Sequence, residues 1–156
     1  MSATEKPPEL EFLCSLSVDV GDIVSMGETP LGERRVVPIL GGSFEGERMR
    51  GQVLGGGADW QIVRRDSVLD LDARYALREQ CGGLIEVRSQ GYRHGPPEVL
   101  AALARGEDVD SNRYFFRTIM RFETGAEELS WLNRTIAVAT AERRARRVEL
   151  KAWRLL

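Results

Sequence analysis

Apolar and polar residues alternate along most of this chain, which is the pattern of β-strands that bury one face. The strictest alternation runs over 68–78, where one face consists of Leu69, Leu71, Ala73, Tyr75 and Leu77. The segment CGG at 81–83 then predicts a turn, and 84–88 predict the returning strand. Together these segments predict a β-hairpin.

Further strands are predicted at 10–20, 36–39, 60–63, 113–124, 131–140 and 148–155. The segment GETPLGERR contains Pro30 and Gly32 and predicts a turn before the second strand. The segment GGSFEGERMRGQVLGGG predicts a pair of strands interrupted by glycines. Glycines at such positions allow a sheet to bend and close.

A short α-helix is predicted between Pro97 and Arg105, because prolines precede it and Gly106 follows it. Many short strands with a single helix predict an all-β fold, an antiparallel β-barrel with the helix covering one end. A two-sheet β-sandwich is the alternative. The barrel is expected to occupy 1–156 as one domain, with 1–8 as a loose N-terminal lead.

Composition narrows the possible partners. The chain has 156 residues, of which 42% are hydrophobic and 29% charged, so it is long enough to bury a core. A formal net charge of −2 gives no overall attraction to nucleic acid or anionic lipid. The sequence has no apolar signal core or membrane-length run, so we expect a cytoplasmic protein. Two cysteines and one histidine favour neither a disulfide framework nor a metal site, and no cofactor is expected.

Several blocks carry a family resemblance: VPILGGSFEG, RGQVLGGGADWQ, LDARYALR, YRHGPPEVL, YFFRTIMRFETGAEELSWLNR and the closing hairpin. They span nearly the whole chain, which resembles the uncharacterised family DUF3237, also called UPF0311. The resemblance implies a calycin-like β-barrel that often forms oligomers, and it implies no activity. The family resemblance and the strand-rich composition together lead us to expect a homodimer or a higher homo-oligomer.

The segment between the second hairpin strand and the helix contains Arg93 and His94. Loops at the rim of a barrel often hold binding residues, so both are candidate ligand-binding residues. His94 is also a candidate acid or base, since histidine is the side chain best suited to proton transfer near neutral pH. The alternative is a loop histidine that anchors the turn through its ring N–H.

The strand predicted at 113–124 has one charged face and one aromatic face. Its charged face carries Arg117, Arg121 and Glu123. If this face pointed inward, the cavity could bind a carboxylate or an enolate oxygen. If the aromatic face pointed inward, the charges would form a solvated surface. The family block FRTIMRFETG favours a functional role for Arg117 and Glu123.

Three other positions are candidate ligand-binding residues. Asp59 and Trp60 follow a triple glycine and could form a polar contact beside an aromatic wall, or else a turn cap and a core residue. Asn133 opens an apolar segment and would need a partner if it were buried. Tyr75 lies on the apolar face of its strand, where its hydroxyl also needs a partner.

These candidates lead to a specific geometric prediction: Asp59, His94, Arg117, Glu123 and Asn133 converge on one cavity, with Trp60 and Tyr75 as its wall. The first function that fits is a small-molecule-binding barrel. The second is a cofactor-free isomerase, cyclase or lyase acting on a small carbonyl or carboxylate compound. In that enzyme His94 or Glu123 would move a proton and Arg117 would stabilise an oxyanion. The third is a structural barrel with no ligand.

Overall fold

Antiparallel strands form a closed barrel in the computed structural model, which describes residues 5–156. The first four residues of the predicted N-terminal lead lie outside the described part. The strands are β1 (Leu10–Val20), β2 (Val24–Thr29), β3 (Gly32–Glu45), β4 (Arg50–Val53), β5 (Ala58–Val63), β6 (Leu69–Glu79), β7 (Leu84–His94), β8 (Phe115–Thr124), β9 (Ile136–Arg143) and β10 (Arg147–Leu155). The α-helix is α1 (Pro97–Ala104).

The barrel closes through pairing of β1 with β3. Around the wall the order is β1, β10, β9, β8, β7 and β6, followed by β3. Between β6 and β3, the short strands β4 and β5 share one position. β2 lies outside this ring and pairs with the first part of β3. The predicted antiparallel barrel is therefore confirmed.

Strand alternation determines which side chains form the core. On β6, Leu69, Leu71, Tyr75 and Leu77 point into the barrel and are buried, as the sequence predicts. On β8, the inward face is the aromatic one and carries Phe116, Thr118, Met120 and Phe122. The charged face of β8 therefore lies on the outer surface, where its side chains are solvated.

Three predicted segments differ from the structure. The strand predicted at 84–88 extends to His94, so Arg93 and His94 lie on β7 and not in a rim loop. GETPLGERR is not a single long turn, because its first residues belong to β2 and its last residues to β3. The strand predicted at 131–140 starts only at Ile136, since Glu127–Arg134 form a 3-10 helix that buries Leu129 and Leu132. The predicted helix matches α1 to within one residue.

Helical segments lie at the barrel ends. The 3-10 helix Glu127–Arg134 packs against β8, and its Leu129 contacts the β6–β7 turn near Gly83. At the opposite end, α1 buries Val99 and Leu103, and Leu103 lines the barrel mouth. Among residues 5–156, no helix is long and apolar enough to span a bilayer.

Candidate functional site

One end of the barrel interior contains a cavity of about 50 Å³ that opens toward a mouth of about 390 Å³. Four residues line both spaces and so lie where they meet: Val37, Gln61, Arg93 and Arg143. The inner walls are mostly apolar, with polar groups from Asp59, Gln61, Tyr75, Ser89, Arg93, Thr118 and Arg143. The inner cavity alone holds only a few water molecules. A small molecule must therefore occupy the mouth as well.

A hydrogen-bonded chain connects three side chains of the site across β3 and β5. Arg35 and Gln61 are direct cross-strand partners, and the Nε of Arg35 donates to Oε1 of Gln61 at 2.8 Å. The Nε2 of Gln61 donates in turn to Oδ2 of Asp59 at 2.9 Å. The other carboxyl oxygen of Asp59 accepts from the backbone N–H of Asp72 on β6 at 3.1 Å. The carboxyl group is thus held in one orientation.

Burial in the barrel raises the pKa of Asp59. The hydrogen bonds from Gln61 and from the Asp72 backbone, and the charge of Arg93, act in the opposite direction because they favour the ionised form. Burial is the largest of these effects. Asp59 is therefore a carboxyl group whose proton is held more tightly than in water, inside a cavity that opens to solvent.

Two polar side chains of the cavity have buried atoms without a hydrogen-bond partner among the described residues. They are the hydroxyl of Tyr75 and the Nε of Arg93. The guanidinium of Arg93 lies 5.7 Å from the ring centroid of Phe116, which is a cation–π contact. A buried donor without a partner costs about 1–3 kcal/mol, so both atoms indicate a group that the protein itself does not supply.

Positive charge exceeds negative charge around the cavity. Arg93 and Arg143 line the inner cavity with Asp59, and the mouth adds Arg35 together with Arg146 and Asp22, which form an ion pair with each other. Burial, followed by repulsion from Arg143 and Arg35, lowers the pKa of Arg93 to about 10. Burial and the charge of Arg35 also lower the pKa of Arg143. The guanidinium groups repel one another, and an anion between them would relieve that repulsion.

Of the candidate residues from the sequence, Asp59, Tyr75 and Arg93 line the cavity. Trp60 does not, and 45% of its surface is exposed, because adjacent residues of a strand point to opposite faces and Asp59 already points inward. The same geometry separates Arg93 from His94. His94 points outward and stacks on Phe115, with 4.7 Å between ring centroids.

The other three candidate residues also lie outside the barrel, so the predicted convergence is wrong for them. Arg117 and Glu123 are exposed because β8 turns its aromatic face inward. Asn133 is exposed in the 3-10 helix and bonds both backbone groups of Thr124, accepting from its N–H at 2.7 Å and donating to its carbonyl at 2.9 Å. Asn133 therefore connects two segments of the chain and does not reach the cavity.

Sequence reasoning missed Arg35, Gln61 and Arg143. A signal was present for Arg35 and Arg143, because both share their strand faces with buried residues. Arg35 is in phase with Val37 on β3, and Arg143 is in phase with Ala141 on β9. An inward-facing polar residue near the end of an apolar strand face is thus the pattern that identifies this site.

The described residues contain no cluster of three or more His, Cys, Asp or Glu side chains that could bind a metal ion. The site that they do form is built from arginines, amides, hydroxyls and one carboxyl group. Such a set can bind an oxygen-rich small molecule and, through Asp59, exchange a proton with it.

Comparison with known proteins shows similarity along almost the whole chain. A UPF0311 protein of Bradyrhizobium diazoefficiens is 40% identical over 148 residues, which are 95% of this chain and 97% of that protein. The crystal structure of a conserved protein of unknown function from Rhodopseudomonas palustris has a TM-score of 0.92 at 39% identity, covering 98% of this chain and all of the other.

Two further structures share the fold. A β-barrel-like protein from Acinetobacter baumannii has a TM-score of 0.86 at 41% identity, covering 99% of this chain and 100% of the other. An enzyme from Penicillium herquei has a TM-score of 0.76 at 21% identity, with full coverage of both chains, which is a similarity of fold alone. The family model described as "Protein of unknown function (DUF3237)" matches residues 8–155, and this chain therefore belongs to the DUF3237 family.

Proposed function

We propose that this protein binds a small molecule in the cavity and mouth at the polar end of its barrel. The observation that carries the proposal is the pair of unpartnered buried atoms, the Tyr75 hydroxyl and the Arg93 Nε, on the wall of one cavity. Native proteins rarely leave such atoms unsatisfied. A ligand that accepts a hydrogen bond from each would satisfy both.

The dimensions of the site support this proposal. The mouth, at about 390 Å³, falls within the range of about 300–1,000 Å³ that is typical of small-molecule sites. Its walls present more polar than apolar surface, and part of the polar surface is fixed by hydrogen bonds. Ile23 and Leu103 supply apolar surface, while Arg35 and Gln61 are held in place by their mutual hydrogen bond.

Native mass spectrometry of the purified chain tests this function. We expect an additional mass on the wild-type protein that is lost on denaturation and is absent from Arg93→Met. The matched control is Arg117→Met, which removes an exposed arginine from the outer face and should keep the additional mass. An additional mass retained equally by Arg93→Met would argue against binding at this site. A fragment screen by NMR in which no compound shifts the cavity signals would favour a structural barrel.

A second function is supported by the position of Asp59. A carboxyl group with a raised pKa inside a cavity is suited to proton transfer, and Arg93 lies near enough to lower its pKa through charge. The corresponding enzyme would be a cofactor-free isomerase, cyclase or lyase acting on a small carbonyl or carboxylate compound. Asp59 would move the proton, and Arg93 would stabilise the developing oxyanion.

Deuterium exchange distinguishes the enzyme from a simple binder. Levulinate, which carries a ketone and a carboxylate, would be incubated in D₂O with wild-type protein or Asp59→Asn. An enzyme of this kind would accelerate exchange of the protons next to the ketone, and the variant would lose that acceleration while still binding the compound. Equal exchange rates for both proteins would leave binding as the function of the site for this class of compound. We place the protein in the cytoplasm under either function.

A further inference from the structure

The arginines of the cavity line the barrel interior and its mouth and form no ion pair with a carboxylate within residues 5–156. Among residues 5–156, ion pairs with carboxylates are formed by Arg64, Arg88, Arg105, Arg144, Arg146, Arg147 and Arg154, all at the surface. Arg35, Arg93 and Arg143 form none within this part of the chain. Burying a guanidinium without a carboxylate partner is costly, so these residues indicate a site for an external anion.

The position of Arg93 defines where the anion would lie. Its Nε is buried, its guanidinium carbon lies 5.7 Å from the ring centroid of Phe116, and the residue lines both the inner cavity and the mouth. Arg143 lines the same two spaces. A planar guanidinium donates two parallel hydrogen bonds to a carboxylate, which makes a carboxylate the best-matched anion for this position.

The inner cavity limits the size of the group that can enter beyond Arg93. At about 50 Å³ it accommodates a head group, while the remainder of the ligand must lie in the larger mouth. Tyr75 lines this inner cavity and its buried hydroxyl has no partner among the described residues, so a donor is available there for an oxygen of the head group. Around these polar groups, Val18, Leu71 and Leu150 form an apolar wall.

We propose that the ligand is a small organic monocarboxylate, with its carboxylate at Arg93 and Arg143 and the rest of the molecule in the mouth beside α1. This inference rests on the proposed binding function and specifies the class of ligand. In the mouth, Ile23 and Leu103 offer apolar contact, and Arg35 and Gln61 offer polar contact. Asp59 is the acidic residue of the inner cavity. Because Arg93 and Arg143 both carry a positive charge, the inner cavity stays positively charged even when Asp59 is ionised.

The test compares ligands of one shape that differ in their head group. Uniformly ¹⁵N-labelled chain would be titrated at pH 7.5 with benzoate, benzamide, benzyl alcohol and inorganic phosphate, following the backbone signals and the Nε–H signals of the arginines. We expect benzoate to bind at least about tenfold more tightly than benzamide, the smallest difference that a charge-assisted hydrogen bond supplies. The largest shifts should occur at Arg93 and Arg143.

Variants locate the interaction. In Arg93→Met and in Arg143→Met the preference for benzoate should fall toward parity, while Arg117→Met should retain it. Both cavity variants are first checked for native signal dispersion. The preference for benzoate is then measured in each variant that folds. An unchanged preference in both would show that the anion binds elsewhere and would overturn the placement.

The failures of the two proposals are distinguishable. If benzamide binds as tightly as benzoate at the cavity, the ligand class is wrong and the binding function stands. If phosphate binds as tightly as benzoate, the site binds simple anions and the organic class is overturned. If none of the four compounds shifts a cavity signal, both proposals are rejected for ligands of this size.

Discussion

The Nε of Arg35 donates to Oε1 of Gln61 at 2.8 Å, and this contact determines which way the Gln61 amide faces. Because the oxygen of the amide is directed at Arg35, its nitrogen is directed at Asp59 and donates to Oδ2 at 2.9 Å. Arg35 thereby orients the amide N–H group of Gln61 that donates to Asp59. The protonation of Asp59 therefore depends on Arg35 through Gln61.

Replacing Gln61 with methionine should raise the pKa of Asp59 further. The variant removes a hydrogen bond that favours the ionised carboxylate and keeps a side chain of similar length. The pH titration of the Asp59 carboxyl carbon by NMR measures this change. The matched control is Gln90→Met, since Gln90 donates to Asp72 on the exposed outer face at 3.2 Å. A titration midpoint that is the same in Gln61→Met and in wild type would contradict the role given to this amide.

The raised pKa of Asp59 also predicts how stability depends on pH. Because the folded state holds this proton more tightly than the unfolded state, its contribution is fully present below about pH 3.8, the ordinary pKa of the group, and is lost as the pH rises through the folded pKa. The free energy of unfolding of wild type relative to Asp59→Asn should therefore decrease with increasing pH across that interval. Urea unfolding of both proteins from about pH 3.5, just below the ordinary pKa of the group, up to about pH 8 measures the difference. A difference that increases with pH would show the opposite shift.

Arg93→Met should stabilise the folded protein. The variant replaces a half-buried guanidinium, which has no ion pair within residues 5–156 and is repelled by Arg143 and Arg35, with an apolar side chain of similar length. Removing that charge should stabilise the fold by about 1 kcal/mol or about 3 °C in Tm. Arg117→Met changes an exposed residue and should leave Tm within about 1 °C of wild type. Thermal unfolding in ligand-free buffer checks both values. A loss of stability in Arg93→Met would mean that the arginine has a structural role.

Part of the site was predictable from the sequence because alternation assigns each strand residue to one of two faces. On β7, the buried Ile85 and Val87 are in phase with Arg93, so Arg93 faces the cavity and His94 faces solvent. On β8, the buried Phe116 and Phe122 indicate in the same way that Arg117 points outward. For Arg117 and Glu123 both strand faces fitted the alternation, and the family block favoured the face that the structure places outside, whereas Trp60 and His94 were candidates on their chemistry alone.

The assembly of the site was not predictable in the same way. Arg35, Gln61, Arg93 and Arg143 belong to four strands, and they meet only because the ring closes in one register. The direct pairing of Arg35 with Gln61 depends on the alignment of β3 with β5, and a shift of one residue would turn either side chain to the other face. Register depends on contacts between distant segments, which a single sequence does not display.

Gly42 should be indispensable for closure of the barrel. It lies where β3 pairs with both β1 and β4, and it has a φ of +135°, a conformation that side chains disfavour. A Cβ at this position would overlap the carbonyl oxygen of Ser17. Gly42→Ala should therefore lose at least about 2 kcal/mol of stability, measured by urea unfolding. Gly125→Ala is the matched control, because a Cβ there meets no atom within 4 Å, and it should change stability by less than about 0.5 kcal/mol. Equal effects of the two variants on stability would show that β1 and β3 can shift to make room for a Cβ at position 42.

The sequence predicts that the protein self-associates, and the outer face of the barrel has a surface on which a second copy could pack. A shallow depression on this face is lined by apolar side chains, among them Tyr92, Phe115, Ile119 and Trp153. Since the wall of the barrel is closed, a second copy is expected to pack on this face through apolar contact. Light scattering at micromolar concentration should give the mass of a dimer for wild type.

Ile119→Glu puts a charge on the lining of the depression and should give a monomer, because that charge would have to be desolvated at the interface. Leu31→Glu, at an exposed turn between β2 and β3, should remain dimeric. A monomeric wild-type protein would show that this apolar face is not an interface between copies of the chain, and a monomeric Leu31→Glu would place the interface at the β2–β3 hairpin instead.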